Sequence, residues 1–168
     1  SRQARGTPLS NIVPLEEGES ITAWVPVAGY DQGGYLFMVT ANGYVKKTAL
    51  AEYNTSLRSK GIIAISLEEG DELRWVLCTD GAKDILLTTR QGMAIRFDEE
   101  EVRPMGRNAR GVLGIKLRKG DALVSAVAVE KNDPRDLLVV SEKGLGKRTP
   151  LTEYRSQSRN GLGLITFK

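Results

Sequence analysis

The sequence contains no histidine and a single cysteine, Cys78, among its 168 residues. The absence of histidine excludes Ser-His-Asp and Cys-His nucleophile systems. One cysteine excludes an internal disulfide and a zinc site built from Cys and His ligands. Any enzymatic activity would therefore depend on carboxylates, lysine, tyrosine or an external metal. A lone cysteine also favours a reducing compartment, which predicts a cytoplasmic protein.

Long apolar segments are missing as well. The longest apolar runs are short, such as Val124–Val129 with Ser125 inside it, and none approaches the roughly 20 residues that span a bilayer. The opening residues, SRQARGTPLSN, contain no apolar segment of a signal peptide. The hydrophobic content of 40% is nevertheless that of a folded protein. Because the chain does not begin with Met, we expect it to be a fragment of a longer protein.

An internal repeat organises the rest of the sequence. TANGYVKKTALAEY begins at Thr40, and SEKGLGKRTPLTEY begins at Ser141. Glycines in matching contexts recur about every 50 residues, which is the signature of a repeat architecture. These glycines form three sets: Gly43, Gly92 and Gly144; Gly18, Gly70 and Gly120; and Gly6, Gly61, Gly111 and Gly161.

Each repeat contains the pattern of four short strands. Asn42-Gly43 between two β-rich runs predicts a hairpin of Tyr35–Val39 with Tyr44–Thr48. Apolar alternation predicts further strands at Gly61–Leu67 and Leu73–Cys78. The second repeat has the same pattern in Ile85–Thr89, Met93–Phe97, Leu113–Leu117 and Leu123–Val129, whereas the loops 52–60 and 99–107 have room for a helical turn.

Four strands per repeat predict an all-β, propeller-like protein. The expected units are residues 1–34, 35–84, 85–136 and 137–168, in one domain that spans residues 1–168. A propeller usually has four to eight blades, so these units amount to a partial array of about three blades.

Positive charge follows the same period, although the net charge is only +3. The segments 40–61, 89–111 and 141–161 have net charges of +3, +1 and +3, whereas 7–39 and 62–88 each have −4. Equivalent positions of a repeat lie at equivalent places around an array, so these cations predict a stripe that binds a polyanion such as double-stranded DNA. The predicted DNA-binding residues are Arg2, Arg5, Lys46, Lys47, Arg58, Lys60, Arg90, Arg96, Arg103, Arg107, Arg110, Lys147, Arg148, Arg155 and Arg159. The alternative is that such charges only protect exposed strand edges from aggregation.

Several segments of the sequence resemble one known family. TANGYVKKTALAEYN, SKGIIAISLEEGDEL, VRPMGRNARGVLGIKL and GLGKRTPLTEYRSQSRNGLG look like the C-terminal domain of the A protein of bacterial DNA gyrase. The resemblance covers essentially the whole chain. It implies a β-pinwheel, a disc of blades that exchange a hairpin with their neighbours, and DNA that bends around a basic outer rim.

The resemblance also implies the parent enzyme and the compartment in which it acts. The parent would be an ATP-dependent type IIA topoisomerase that uses ATP and Mg²⁺ and introduces negative supercoils as a heterotetramer of the gyrase A and gyrase B proteins, in the bacterial cytoplasm at the nucleoid. This fragment would be non-catalytic, with no cofactor or metal and no contact with a membrane. The family's gyrase box, a Gln-Arg-Arg-Gly-Gly-Lys-Gly-type loop, is absent, so we expect the fragment to bind DNA but to wrap it poorly. Two alternatives stay open: the corresponding C-terminal domain of topoisomerase IV, and a propeller that binds proteins and not DNA.

Three other motifs favour structural roles. Gly144–Thr149 lacks the first glycine and the Ser or Thr of a phosphate-binding loop, because Ser141 and Arg148 stand there. The run Asp98–Glu101 is more typical of a solvated loop than of a metal site. We expect Trp24 and Trp75 to pack in the core.

Overall fold

A computed structural model describes residues 6–55 and 61–168. Most of the regular secondary structure is β-strand, and no helix among these residues is long and apolar enough to cross a membrane. The strands are β1 (Tyr35–Thr40), β2 (Tyr44–Ala49), β3 (Leu73–Thr79), β4 (Asp84–Thr89), β5 (Met93–Asp98), β6 (Val112–Leu113), β7 (Leu123–Val129), β8 (Asp136–Val140), β9 (Gly146–Pro150) and β10 (Leu164–Ile165). Within the described residues, four short 3-10 helices accompany them: η1 (Leu9–Asn11), η2 (Leu50–Tyr53), η3 (Glu99–Glu101) and η4 (Leu151–Glu153).

Three antiparallel hairpins recur along the described chain. In the first, the Gly43 N–H donates to the Thr40 carbonyl at 3.1 Å, and Gly43 has φ of +85°. A positive φ is unfavourable for a residue with a Cβ, so glycine at this turn allows β1 and β2 to pair. The hairpins β4–β5 and β8–β9 turn at Gly92 and Gly144 in the same way, with φ of +77° and +78°. These hairpins define the first, second and third units.

Two four-stranded sheets are each assembled from more than one unit. Their strand orders are β3-β1-β2-β6 and β10-β5-β4-β7, whereas β8 and β9 form a sheet of two strands. The short strand β6 comes from the second unit and pairs with β2 of the first. Strand β10 comes from the third unit and pairs with β5 of the second. The second and third units thus each complete the sheet of the unit before them.

We call the outer edge of a hairpin's second strand its seam when the following unit packs on it. At the first seam, the Met105 N–H donates to the Lys47 carbonyl, at 2.8 Å. At the second, the Gln157 N–H donates to the Arg96 carbonyl, also at 2.8 Å. The two seams therefore repeat the same backbone contact with a period near 50 residues, which is also the period of the sequence repeat.

The core lies between the first and second sheets. Phe37 and Phe97 are fully buried, with ring centroids 6.5 Å apart. Val39, Ile85 and Ile95 are fully buried in the same cluster. Truncation of a buried phenylalanine to alanine typically costs about 3–5 kcal/mol, so this cluster holds the two units together.

Two expectations about the fold were wrong. The segment 61–67 is not a strand, although its equivalents include β6 and β10. A strand requires a partner edge, and no hairpin of a preceding unit lies against this segment within residues 6–55 and 61–168. Trp24 is 76% exposed and does not pack in the core, whereas Trp75 packs against the central cluster as expected.

Candidate nucleic-acid interface

The two lysines of β2 are buried. The Lys46 ammonium donates to the Ala64 carbonyl at 2.6 Å and to the Arg107 carbonyl. Burial, together with the positive charge of Arg107, lowers the pKa of Lys46 to about 8. The Lys47 ammonium donates to the Glu99 carbonyl at 2.8 Å and lies 5.1 Å from the centre of the Tyr35 ring. Neither ammonium group is exposed to an external phosphate.

Arg96 of β5 is buried as well. Its Nε donates to the Asp84 carboxylate at 2.6 Å, and both side chains are only 6% exposed. Its other nitrogens donate to the carbonyls of Leu151, Glu130 and Lys131 at 2.9, 3.2 and 2.7 Å. The guanidinium is thus occupied on every side by protein acceptors.

Lys46, Lys47 and Arg96 are therefore corrections to the predicted DNA-binding set. A cation that is buried and already bonded cannot form a phosphate contact without leaving its acceptors, and unpaired buried polar groups are costly. The sequence does indicate this burial through the apolar neighbours Val45, Ile95 and Phe97, which are typical of buried strands. A cation within a buried strand usually has a protein partner.

Arg103 and Arg155 fit the prediction best. Each lies 11 residues after the turn glycine of its unit, in the loop that follows the 3-10 helix, and each is exposed. In the part of the chain that the structure describes, neither guanidinium has a hydrogen bond or an ion pair. Their charge is therefore free for an external anion.

Arg107 and Arg159 also occupy equivalent positions, 15 residues after their turn glycines, and both are half-buried. Arg159 donates through Nε to the Glu101 carbonyl at 3.3 Å and through Nη1 to the Leu113 carbonyl at 3.1 Å. Arg107 lines two shallow depressions on the surface, one shared with Glu52 and the other with Ile63. Arg159 therefore ties its loop to the preceding unit, whereas the Arg107 side chain has no hydrogen bond or ion pair within residues 6–55 and 61–168.

The remaining predicted cations differ in surroundings. Arg110 forms an ion pair with Glu68 and stacks 4.6 Å from the centre of the Tyr44 ring. Arg90 is exposed and donates to the Gly120 carbonyl at 2.8 Å. Lys147 and Arg148 are exposed on β9, where Arg148 pairs with Asp136 at 2.8 Å. The predicted residues Arg2, Arg5, Arg58 and Lys60 lie outside the described residues.

The acidic run Asp98–Glu101 has a structural role. Glu99 is fully buried and accepts from the Thr79 hydroxyl at 2.7 Å and from the N–H groups of Lys83 and Gly81 at 2.8 and 3.1 Å. The Asp98 carboxylate accepts from the Glu100 N–H at 2.9 Å and so caps η3. Over residues 6–55 and 61–168, no cluster of three or more Cys, Asp or Glu is arranged to hold a metal ion.

Sequence reasoning missed an exposed cationic turn. Lys116, Arg118 and Lys119 precede Gly120, and all three are exposed. The segment 112–140 has a net charge of only +1, because acidic residues further along offset these cations. A shorter charge window centred on the Gly-Asp turn would have found them.

A family model described as "DNA gyrase C-terminal domain, beta-propeller" matches residues 34–80, 83–130 and 135–168. Similar proteins include the DNA gyrase A protein of Haloquadratum walsbyi, 49% identical over 172 residues, and that of Escherichia coli, 45% identical over 168 residues. Both alignments cover the whole chain but only 20% and 19% of the relatives. The chain thus spans about a fifth of the length of these relatives.

Solved structures share the fold. The C-terminal domain of DNA topoisomerase IV superposes with a TM-score of 0.87 at 34% identity, over 95% of this chain and 49% of that one. The DNA gyrase A C-terminal domain superposes with a TM-score of 0.82 at 26% identity, over 97% of this chain and 53% of that one. Each of the three matched segments contains one of the three hairpins, β1–β2, β4–β5 or β8–β9.

Proposed function

Since this chain belongs to the family of DNA gyrase C-terminal β-propeller domains, we propose that it binds duplex DNA through the phosphate backbone and bends it. The carrying observation is that Arg103 and Arg155 lie at equivalent positions of successive units, exposed and, within the described chain, without protein partners. Phosphate contacts fix a protein on the duplex without reading its sequence, so binding is tolerant of sequence. Contacts on successive units offset the free energy of bending.

The proposed parent is an ATP-dependent type IIA topoisomerase of the gyrase type, in which this segment is non-catalytic and acts beside the rest of the gyrase A protein and beside gyrase B. The support is the identity of 45% and 49% with two gyrase A relatives over the whole chain. The C-terminal domain of topoisomerase IV is the second candidate, because it superposes closely on this chain.

The salt dependence of DNA binding tests the proposal. Affinity for a linear duplex should fall steeply with salt, because each phosphate contact releases counterions. The double variant R103Q/R155Q should weaken binding to every sequence and reduce the slope of log K against log salt by about 2. Fluorescence anisotropy at several salt concentrations gives both quantities.

A charge-matched control separates specific contacts from total charge. Arg74 lies on β3, is 53% exposed and forms an ion pair with Glu72. R74E removes the same two units of positive charge as R103Q/R155Q but lies outside the long loops. Equal losses for the two variants would mean that total charge, and not contacts at Arg103 and Arg155, determines the affinity. A flat salt dependence in the unaltered chain would favour the interpretation as a protein-binding platform.

A further inference from the structure

Residues 66–71 and residues 116–121 form the Gly-Asp turns of the first and second units, which we call the acidic turn and the basic turn, respectively. In each, the aspartate accepts from the N–H of the next residue and from an N–H of its unit's hairpin turn. The N···O distances are 2.8 and 3.0 Å for Asp71, and 2.8 and 2.9 Å for Asp121. The preceding glycines have φ of +78° and +75°. The two turns therefore share one backbone structure.

The side chains on this shared backbone carry opposite charges. Glu68 and Glu69 precede the glycine of the acidic turn, and Arg118 and Lys119 occupy the same positions in the basic turn. All four residues are exposed. The charge at these equivalent positions thus changes from −2 to +2. Because the backbone is the same in both units, the folding of the turn requires neither sign of charge.

The cations of the basic turn have no protein partner. Within residues 6–55 and 61–168, the side chains of Arg118 and Lys119 form no hydrogen bond or ion pair, and neither does that of the exposed Lys116. In the acidic turn, Glu68 forms an ion pair with Arg110, a cation of the following unit. The basic turn therefore offers three free positive charges, whereas the acidic turn offsets a positive charge of its neighbour.

Each turn adjoins the long loop of the following unit. The Lys116 N–H donates to the Gly161 carbonyl at 2.9 Å, and the Ser66 N–H donates to the Ala109 carbonyl at 3.2 Å. These are the loops that carry the free arginines described above. The cations of the third unit's loop thus continue into a basic turn, whereas those of the second unit's loop meet an acidic one.

The loop and the basic turn lie within reach of one duplex. The Arg155 loop is bonded to β5 at Arg96, and the basic turn is bonded to the hairpin turn at Gln91. Five residues of extended chain span about 16 Å, which is comparable with the width of about 12 Å of the major groove. Arg90, which is exposed and donates to the Gly120 carbonyl at 2.8 Å, adds a further positive charge at this end.

We propose that the basic turn is a second phosphate contact for duplex DNA, and that the acidic turn keeps the duplex away from the equivalent position at the first seam. The inference rests on the DNA binding proposed above and adds which seam the duplex prefers. Exposed arginine and lysine attract the phosphate backbone without regard to sequence. Protection of a strand edge does not account for these cations, because residues 116–121 lie between strands β6 and β7 and not within one.

Fluorescence anisotropy with a linear duplex tests the basic turn in the 168-residue chain. R118Q/K119Q should weaken binding at least about tenfold at about 0.1 M salt and reduce the slope of log K against log salt by about 2, because two phosphate contacts are lost. R74E removes the same two units of positive charge outside the basic turn, and it should weaken binding less. Equal losses for R118Q/K119Q and R74E would overturn the proposal.

Photocrosslinking tests the preference for one seam. In a C78S background, which removes the exposed cysteine, an aryl azide is attached through K119C or through E69C. The azide at position 119 should crosslink to a duplex and the azide at position 69 should not, although E69C removes a negative charge and K119C a positive one. Equal crosslinking from the two positions would overturn the preference.

The two proposals fail separately. If the unaltered chain binds no duplex, the proposed function fails, and this inference fails with it. If R103Q/R155Q weakens binding while R118Q/K119Q behaves like R74E, DNA binding stands and the basic turn is not a contact.

Discussion

At the scale of single residues, burial decides what each cation does. Arg96 and Arg148 have the same residue type, the same spacing from a turn glycine and an aspartate at the same cross-strand position. One is 6% exposed and the other 76%. Their contributions to stability should therefore differ widely in the same molecule, since exposed ion pairs contribute little and breaking a buried pair is costly.

We expect R96M to lower the free energy of unfolding by about 3–5 kcal/mol, because it leaves the Asp84 carboxylate buried without its partner. The matched variant R148M should cost at most about 1 kcal/mol in the isolated chain. Urea unfolding of the two variants measures the difference. Similar costs for both would show that the buried pair is not a stabilising contact.

Lys46 should impart a pH dependence to stability. Its pKa is about 8 in the folded chain, because burial and Arg107 disfavour the charged amine, against 10.5 for the ordinary side chain. As the pH rises, the folded state therefore loses this proton before the unfolded state does. The cost of burying the charged amine lowers the stability of the fold at low pH, and this cost disappears as the pH rises from about 8 to 10.5.

The free energy of unfolding should thus rise with pH relative to that of K46M, by at most about 3 kcal/mol over this window. Burial also raises the pKa of Tyr53 and of Cys78, but both groups are common to the two proteins and cancel in the difference. Chemical denaturation at about pH 7.5 and about pH 9.5, on either side of the folded-state pKa, provides the comparison. A difference between the two proteins that does not change with pH would contradict a lowered pKa.

At the scale of elements, two glycines set the close approach of units. Gly111 and Gly163 lie 19 residues after their turn glycines, with φ of +100° and +77°. A Cβ at either position would lie 2.4 Å from a carbonyl oxygen of the preceding hairpin, that of Val45 or of Ala94. No backbone carbonyl can yield by that amount without moving its strand, so each seam requires glycine there.

G163A should therefore destabilise the chain more than the unfavourable φ alone accounts for. Gly70 has nearly the same φ, +78°, but its Cβ would enter open space. G70A should cost about 1–2 kcal/mol, the strain of a left-handed residue. G163A should cost at least about 2 kcal/mol more, since overpacking adds to that strain. Thermal unfolding of both variants tests this, and equal costs would mean that the seam can relax.

At the scale of the whole molecule, the number of free cations limits how strongly these 168 residues can bend DNA. Two loops with free cations, around Arg103 and Arg155, give a short contact arc along DNA. Bending a site of about 20–30 base pairs by about 40–90° costs about 1–6 kcal/mol, which few contacts can offset. Binding and bending should therefore separate in this chain.

We expect the 168-residue chain to bind plasmid DNA but to change its linking number little when the plasmid is relaxed by a nicking-closing enzyme. A protein of the relatives' full length should change the linking number by a larger amount, and always in the same direction. The variant R103Q/R155Q should produce no shift in the short chain. A shift from the short chain as large as that from the longer protein would show that these units alone wrap DNA.

Much of this architecture could be read from local sequence. The glycine period predicted three hairpins, and Asn42-Gly43 predicted the turn that joins β1 to β2. The strand prediction failed at 61–67, where the residues alternate correctly but no partner edge is present in the described chain. A pattern of side chains reports which face is apolar and does not report whether an edge is paired.

The predicted DNA-binding cations likewise show what local sequence predicts and what it does not. Their period was correct, but it grouped Arg103 with Lys46, Lys47 and Arg96, which are bonded inside the seams. Neighbouring positions of a repeat recur with the same period, whether their side chains point to solvent or into the protein. Only the packing of the following unit separates a cation that binds a carbonyl from one that is free for a phosphate.

The sequence by itself therefore determined the repeat, its length, the turns and the periodic placement of positive charge, because these depend on local conformation and on spacing along the chain. The tertiary structure alone decided which cations are buried and which glycines lie against a neighbouring carbonyl. These properties arise from contacts between units, such as those of Met105 with Lys47 and of Gln157 with Arg96, and no local pattern encodes them.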